Sequence, residues 1–297
     1  MFRLGGQGVL TEALSSCPSF RSVNTWSSQV HRRLEKMTLF PGVALVTGAA
    51  SGIGQATAIT FAKEGCQKIV IADRNTKGLD ETASLIKQTA DSTHVLMVEV
   101  DVASAQSVED LIAKTVSAFG RIDYAVNAAG VLSNNERSHE LTIENFDRIN
   151  NIDYKGCWLC SRAQITQMLK QDLLPTHDGR PGNRGSVVNI ASQLGIVGRP
   201  AAPAYCGAKA AVISMTRCDA IDYSKDNIRI NCVCPGVIDT PMVRPNLDVL
   251  GPAISIAPMN RPGTAQEIAD CACFLSSPKA SFVQGSAMVV DGGYVIN

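Results

Sequence analysis

The chain carries no excess charge of either sign. Lys and Arg number 27, and Asp and Glu also 27, which leaves a nucleic acid or an anionic membrane surface nothing to hold. It has no apolar run long enough to span a bilayer, which takes about 20 residues. Histidine is scarce, at four, and all four lie far in sequence from the pair Cys157 and Cys160 in "CWLC". No second cysteine pair stands at zinc-site spacing, so no metal site is read here. The ten cysteines are scattered through apparent strands and helices, and they read as buried free thiols of a reducing compartment.

What is present is globular in composition, with 45% hydrophobic and 18% charged residues over 297 positions. That length is within reach of one α/β domain. The first 37 residues differ from the rest. They hold Arg3, Arg21, Arg32, Arg33 and Lys36 against Glu12 and Glu35, with many serines and no steady period. They lack the apolar stretch of a secretory signal. Three readings stay open: a disordered tail or an upstream extension with translation starting at Met37, either with a cytoplasmic protein, or a mitochondrial transit peptide.

From Pro41 onward, short apolar runs alternate with longer helical patterns. The runs are Val43–Thr47, Lys68–Asp73, Val95–Val102, Ile122–Gly130, Ser186–Ser192, Ile228–Gly236 and Ala287–Gly293. Most are rich in Val and Ile and nearly continuous in apolar character, as parallel strands covered on both faces are. Helical patterns lie between them, among them Gly54–Glu64, Val108–Ala118, Asn145–Leu169, Tyr205–Lys225 and Ala265–Leu275. The alternation predicts an α/β fold, a doubly wound parallel sheet of Rossmann type, with residues 38–297 as a single domain.

In such sheets ligands sit beyond the carboxyl ends of the strands, and the informative residues follow the runs. After the first comes "TGAASGIG", with Gly48, Ser51, Gly52, Ile53 and Gly54. Its glycines permit a tight turn and a close approach to a pyrophosphate at a helix N-terminus. After the second comes Asp73, whose carboxylate can accept both hydroxyls of an adenosine ribose, then Arg74, which could receive a 2′-phosphate instead. NAD is favoured and NADP kept as the alternative. Asp101 and Val102 follow the third run, placed for an adenine edge. "NAAG" follows the fourth, where Asn127 is either a cofactor residue or an internal tie between strands. Ser192 closes the fifth run. Ile238 and Thr240 follow the sixth, placed for a nicotinamide carboxamide and a phosphate. In "YCGAK", Tyr205 and Lys209 share one helix face.

Taken in order, T-G-x-x-x-G-I-G, N-A-A-G, Ser, Y-x-x-x-K and P-G-x-x-x-T-P-M resemble the short-chain dehydrogenase/reductase family in its compact single-domain branch. Several segments resemble members from fungal secondary metabolism. The resemblance implies hydride transfer between a nicotinamide cofactor and a secondary alcohol or ketone. It implies Tyr205 as general acid/base, Lys209 lowering its pKa and holding the nicotinamide ribose, and Ser192 hydrogen-bonding the substrate oxygen. It also implies a homo-oligomer, a tetramer or dimer. The family's asparagine in N-x-x-G, which supports a water relay to the lysine, is replaced here by Asp153 in "DYKG". Either that carboxylate takes over contact with Lys209, or a local turn shifts the register and leaves it on the surface.

The segment between Met242 and Arg261 is apolar with three prolines and reads as a lid. Leu194, Ile196, Val197 and Val243 are candidates for the same pocket, which suits a fairly apolar small-molecule substrate. Two other functions stay in view. A 3-oxoacyl-type ketoreductase should show basic residues at the pocket mouth, and Arg199, Arg244 and Arg261 are few and scattered. A non-redox cofactor-binding protein of the same fold is the other.

Overall fold

The computed structural model describes residues 38–133, 135–176 and 179–296; the expectations for residues 1–37 lie outside them. Residues Leu39–Asn297 group as one compact unit. Its strands are β1 (Val43–Thr47), β2 (Lys68–Asp73), β3 (His94–Glu99), β4 (Tyr124–Asn127), β5 (Gly185–Ile190), β6 (Ile228–Pro235) and β7 (Ala287–Val290). They form one seven-stranded parallel sheet in the order β3-β2-β1-β4-β5-β6-β7. The order reverses between β1 and β4, and such a switch point opens a crevice at the strand ends.

Helices cover both faces, as the continuous apolar strands require. They are α1 (Gly52–Lys63), α2 (Thr76–Thr89), α3 (Ala105–Phe119), α4 (Ile143–Ile149), α5 (Cys157–Met168), α6 (Pro203–Tyr223), α7 (Leu247–Ile256) and α8 (Ala265–Ser276). One core layer packs Phe40, Phe61 and Tyr124 with Ala44, Val46, Ile69 and Ile71. The three rings meet with centroids 4.8, 5.0 and 6.0 Å apart. The other layer packs Leu45, Val70, Val98, Leu111 and Ile165 beneath α3 and α5. Alternate residues of β1 and β2 thus feed opposite layers, which is why these strands read as unbroken apolar runs.

Two sequence expectations change. The third and fourth strands stop early, at Glu99 and Asn127, so Val100–Val102 and Ala128–Gly130 leave the sheet and line the crevice. The helix expected over 145–169 is interrupted by a π-helical stretch, Asn150–Gly156. A π turn adds one residue to the repeat and re-aims the side chains on it. Here it turns Asp153 inward, leaving it 1% exposed. The surface alternative for that carboxylate is therefore overturned.

The nine cysteines among the described residues are all free. Cys157 and Cys160 are buried, and burial pushes the Cys157 thiol up to about 12, where it is inert. No group of metal-ligating side chains occurs among the described residues, and no helix among them is long and apolar enough to cross a membrane.

Candidate functional site

The turn after β1 works only with glycine. Gly48 has φ +68° and Gly52 φ +56°, in the left-handed region where a Cβ is costly. A Cβ on Gly48 would lie 2.6 Å from the backbone of Ala128 and Ala129, and one on Gly54 would overlap the Gly48 carbonyl. The chain is thus pressed flat against the next loop. The Ser51 side chain makes no capping bond to α1, so the first N–H groups of that helix lack a side-chain cap. Gly48, Ser51, Gly52, Ile53 and Gly54 all line a cleft of about 410 Å³. A flat glycine cradle in front of an uncapped helix N-terminus fits a dinucleotide pyrophosphate.

The same cleft takes in Asp73, Arg74, Asp101 and Val102. Asp73 accepts from the backbone N–H of Ala50 at 3.1 Å and of Asn75 at 3.0 Å, which fixes its carboxylate at the end of β2. Asp101 accepts from Ala103 N–H at 3.0 Å. Across the cleft, Ile238 and Thr240 are buried and line the wall. Thr240 packs against Gly52, where an added Cβ would sit 3.2 Å from its methyl.

Asn127 is the one cofactor candidate that the structure draws away from the cleft. Its Nδ2 donates to Asn189 at 3.0 Å, Gln164 at 3.1 Å and Ser161 at 3.2 Å, and its Oδ1 accepts from Gln164 at 2.8 Å. With every polar atom engaged inside the fold, the side chain is the internal tie.

Three elements bring the remaining candidates together. Ser192 follows β5, Tyr205 and Lys209 sit on the first turns of α6, and Asp153 projects from the π turn. All four line the cleft. Lys209 Nζ lies 5.6 Å from the Tyr205 ring centroid. It donates to the Ile190 carbonyl and to Asp153 Oδ1, each at 3.2 Å. Asp153 Oδ1 also accepts from Val131 N–H at 3.1 Å, while its Oδ2 is buried with no partner. Burial is the largest influence on Lys209 and opposes its charge, but Asp153, Tyr205 and Cys157 together outweigh it and hold the ammonium above its ordinary range. Burial pushes the Asp153 carboxyl up against the pull of Lys209. Burial also pushes the Tyr205 phenol up. Lys209 pulls it down, Asp153 pushes it up again, Ser192 pulls it down through a hydrogen bond, and the net direction is upward.

Beyond this cluster the cleft is mostly apolar. Val131, Leu132, Leu194, Met242, Val243 and Leu250 line it, and α7 supplies the last of these from the segment read as a lid. Ile196 and Val197 are not part of the wall; Ile196 is exposed. Several lining residues were not anticipated, namely Gln193, Ser133, Asn135 and, as a cleft residue, Arg199. Gln193 is buried with its Oε1 unpartnered. Its place directly after Ser192 was the available signal.

A family model described as enoyl-(acyl carrier protein) reductase matches residues 48–295. The chain is 40% identical over 264 residues to the short-chain dehydrogenase srdC of Neurospora crassa, covering 85% of this chain and 96% of that one. It is 37% identical over 257 residues to the 2-(R)-hydroxypropyl-CoM dehydrogenase of Xanthobacter autotrophicus, covering 85% and 98%. Among solved structures, a levodione reductase superposes with a TM-score of 0.79 at 33% identity, covering 87% and 98%.

Proposed function

The chain belongs to the short-chain dehydrogenase/reductase family, and on that premise we propose that Tyr205, Lys209 and Ser192 run its chemistry on an apolar secondary alcohol or ketone, with NAD preferred. The family works with nicotinamide cofactors on CH–OH groups. The glycine turn lies flat against Ala128 and Ala129, where a side chain on Gly48 would not fit, and it lines the cleft that would take such a cofactor. Gly48, Ser51, Gly52 and Gly54 would hold its pyrophosphate, Asp73 the adenosine ribose, and Lys209 the nicotinamide ribose. Bound there, the nicotinamide supplies hydride acceptance and return.

The proton is handled by the chain itself. In alcohol oxidation the carbinol carbon gives up a hydride and its hydroxyl a proton, which Tyr205 Oη takes as general base. In ketone reduction Tyr205 gives that proton back. Ser192 donates to the substrate oxygen as charge builds on it. Lys209, held cationic by Asp153, stabilises the phenolate at 5.6 Å from the ring. Because the phenol lies above its ordinary value in the free protein, Tyr205 starts protonated near neutral pH, which suits ketone reduction.

The observation that carries this reading is the single cluster formed by Ser192, Tyr205 and Lys209 at the inner end of a glycine-cradled cleft. Asp73 fixed at the end of β2 supports NAD, because a carboxylate there repels a 2′-phosphate. The N. crassa relative is itself named a short-chain dehydrogenase, which supports the reaction class. The names of the other two relatives, an alcohol dehydrogenase and a ketone reductase, bracket the reaction in both directions.

A carrier-linked 3-oxoacyl reductase is less well supported. Two of the three arginines considered for carrier docking are neutralised, Arg244 by Asp239 and Arg261 by Glu267, each at 2.6 Å. The test is the absorbance at 340 nm with cyclic secondary alcohols plus NAD⁺ or NADP⁺, and with the matching ketones plus NADH or NADPH. The wild type should turn over members of both sets, and Tyr205→Phe should not. Equal turnover by the two would remove the tyrosine from the chemistry.

A further inference from the structure

Six charged residues line the cleft: Asp73, Arg74, Asp101, Asp153, Lys209 and Arg199. The first three stand at the end assigned to adenosine. Asp153 and Lys209 pair with each other at 3.2 Å. That leaves Arg199, half-buried at the substrate end. No carboxylate among the described residues lies within ion-pairing distance of it. Its Nη2 donates to Asn135 Oδ1, a neutral acceptor, at 2.5 Å. Its Nε is buried with no partner, and the Ser133 hydroxyl, two residues before Asn135 on the same wall, is also buried without one.

The backbone on both sides is held in an unusual conformation. Asn135 has φ +59° and Ala201, two residues after Arg199, has φ +56°. Asparagine tolerates the left-handed region, but alanine pays for it. The loop therefore spends conformational strain at the place where it presents a cation to an otherwise apolar cleft.

A guanidinium with unused donors is a fork for a carboxylate or sulfonate. Resting on the hydride-transfer reading above, we infer that the substrate is a hydroxy acid or oxo acid, with its anionic group bound by Arg199 and the Ser133 hydroxyl. Its apolar body lies along Val131, Leu132, Leu194 and Val243, and its carbinol carbon lies at Tyr205. Arg199 touches the substrate but not the reacting bond, so it sets specificity.

The test uses the full chain saturated with NAD⁺ and two probes of equal shape, cyclohexanecarboxylate and cyclohexanecarboxamide, with binding read by calorimetry. The carboxylate should bind wild type at least about tenfold more tightly than the amide. Arg199→Gln should bring the two within about twofold, and Arg199→Lys should keep part of the preference. Equal binding of the probes by wild type, binding of neither, or a preference that survives Arg199→Gln would overturn the inference. The absorbance at 340 nm with 4-hydroxycyclohexanecarboxylate and with cyclohexanol separates this from the parent reading. Oxidation of both with no preference overturns the anion site alone. Arg199-dependent binding with no absorbance change overturns hydride transfer alone.

Discussion

Replacing Asp153 with asparagine isolates the charge at a position where the family resemblance implies an asparagine. Asp153 Oδ1 accepts from Lys209 Nζ at 3.2 Å and from Val131 N–H at 3.1 Å, and an asparagine Oδ1 can keep both bonds. The new Nδ2 takes the place of an oxygen that already lacks a partner. What is lost is a charge pair worth about 5 kcal/mol at 3.2 Å with an effective dielectric near 20. What is gained is relief from burying a carboxylate, which costs several kcal/mol. The two nearly offset, so the folded state should change by less than about 2 kcal/mol. Asp153→Ala should cost about 3–5 kcal/mol, because it leaves a buried ammonium with one carbonyl for company.

Catalysis should follow the same arithmetic. Lys209 stays beside Tyr205, and turnover by Asp153→Asn should remain within about tenfold, or about 1.4 kcal/mol of barrier. The pH dependence carries the distinctive sign. Alcohol oxidation needs the phenolate, so its rate rises with pH through the tyrosine's titration. Asp153 pushes that titration upward, so removing its charge should move the rising limb to lower pH. The assay is a pH–rate profile for oxidation beside a thermal melt. A loss of several orders of magnitude, or a limb that stays put or moves up, would refute the reasoning.

Tyr205→Phe should lose at least a hundredfold in turnover, the lower bound of what a positioned acid/base contributes (about 10²–10⁴), while cofactor affinity by calorimetry stays within a few-fold. Asp73→Ser removes the carboxylate that repels a 2′-phosphate and leaves Arg74 beside it, so the NADPH-to-NADH affinity ratio should rise at least about tenfold, or about 1.4 kcal/mol. Asn127→Ala removes both bonds of the buried Gln164 amide and one bond each from Ser161 and Asn189, which keep each other. It should cost about 2–4 kcal/mol in urea unfolding and leave the NAD-versus-NADP preference unchanged, since its side chain points away from the cleft.

The site is legible to the extent that its residues sit at fixed places in a repeating architecture. Asp73 ends a strand and Gly48, Asp101, Ser192 and Thr240 each follow one, and strand ends in a parallel sheet converge on one crevice, so locating the apolar runs locates them too. Tyr205 and Lys209 share a face because a helix repeats every 3.6 residues. The π turn at Asn150–Gly156 escapes such reasoning, since one extra residue leaves no mark on the apolar pattern. Asn127 could not be assigned from sequence because its partners lie 37 and 62 positions away. Arg199 reads in the sequence only as one of three scattered arginines, because its bond across the cleft is to an acceptor 64 residues distant. Loop geometry of that kind has no periodic signature.

The most direct test of the central claim is the calorimetric binding of NADH and of NADPH to the full chain. The account predicts that NADH binds and that NADPH binds more weakly, with Asp73 reading the ribose. Tighter NADPH binding would give that role to Arg74. Binding of neither would mean that the glycine turn at residues 48–54 is not a nucleotide cradle, and the proposed chemistry at Tyr205 would fall with it.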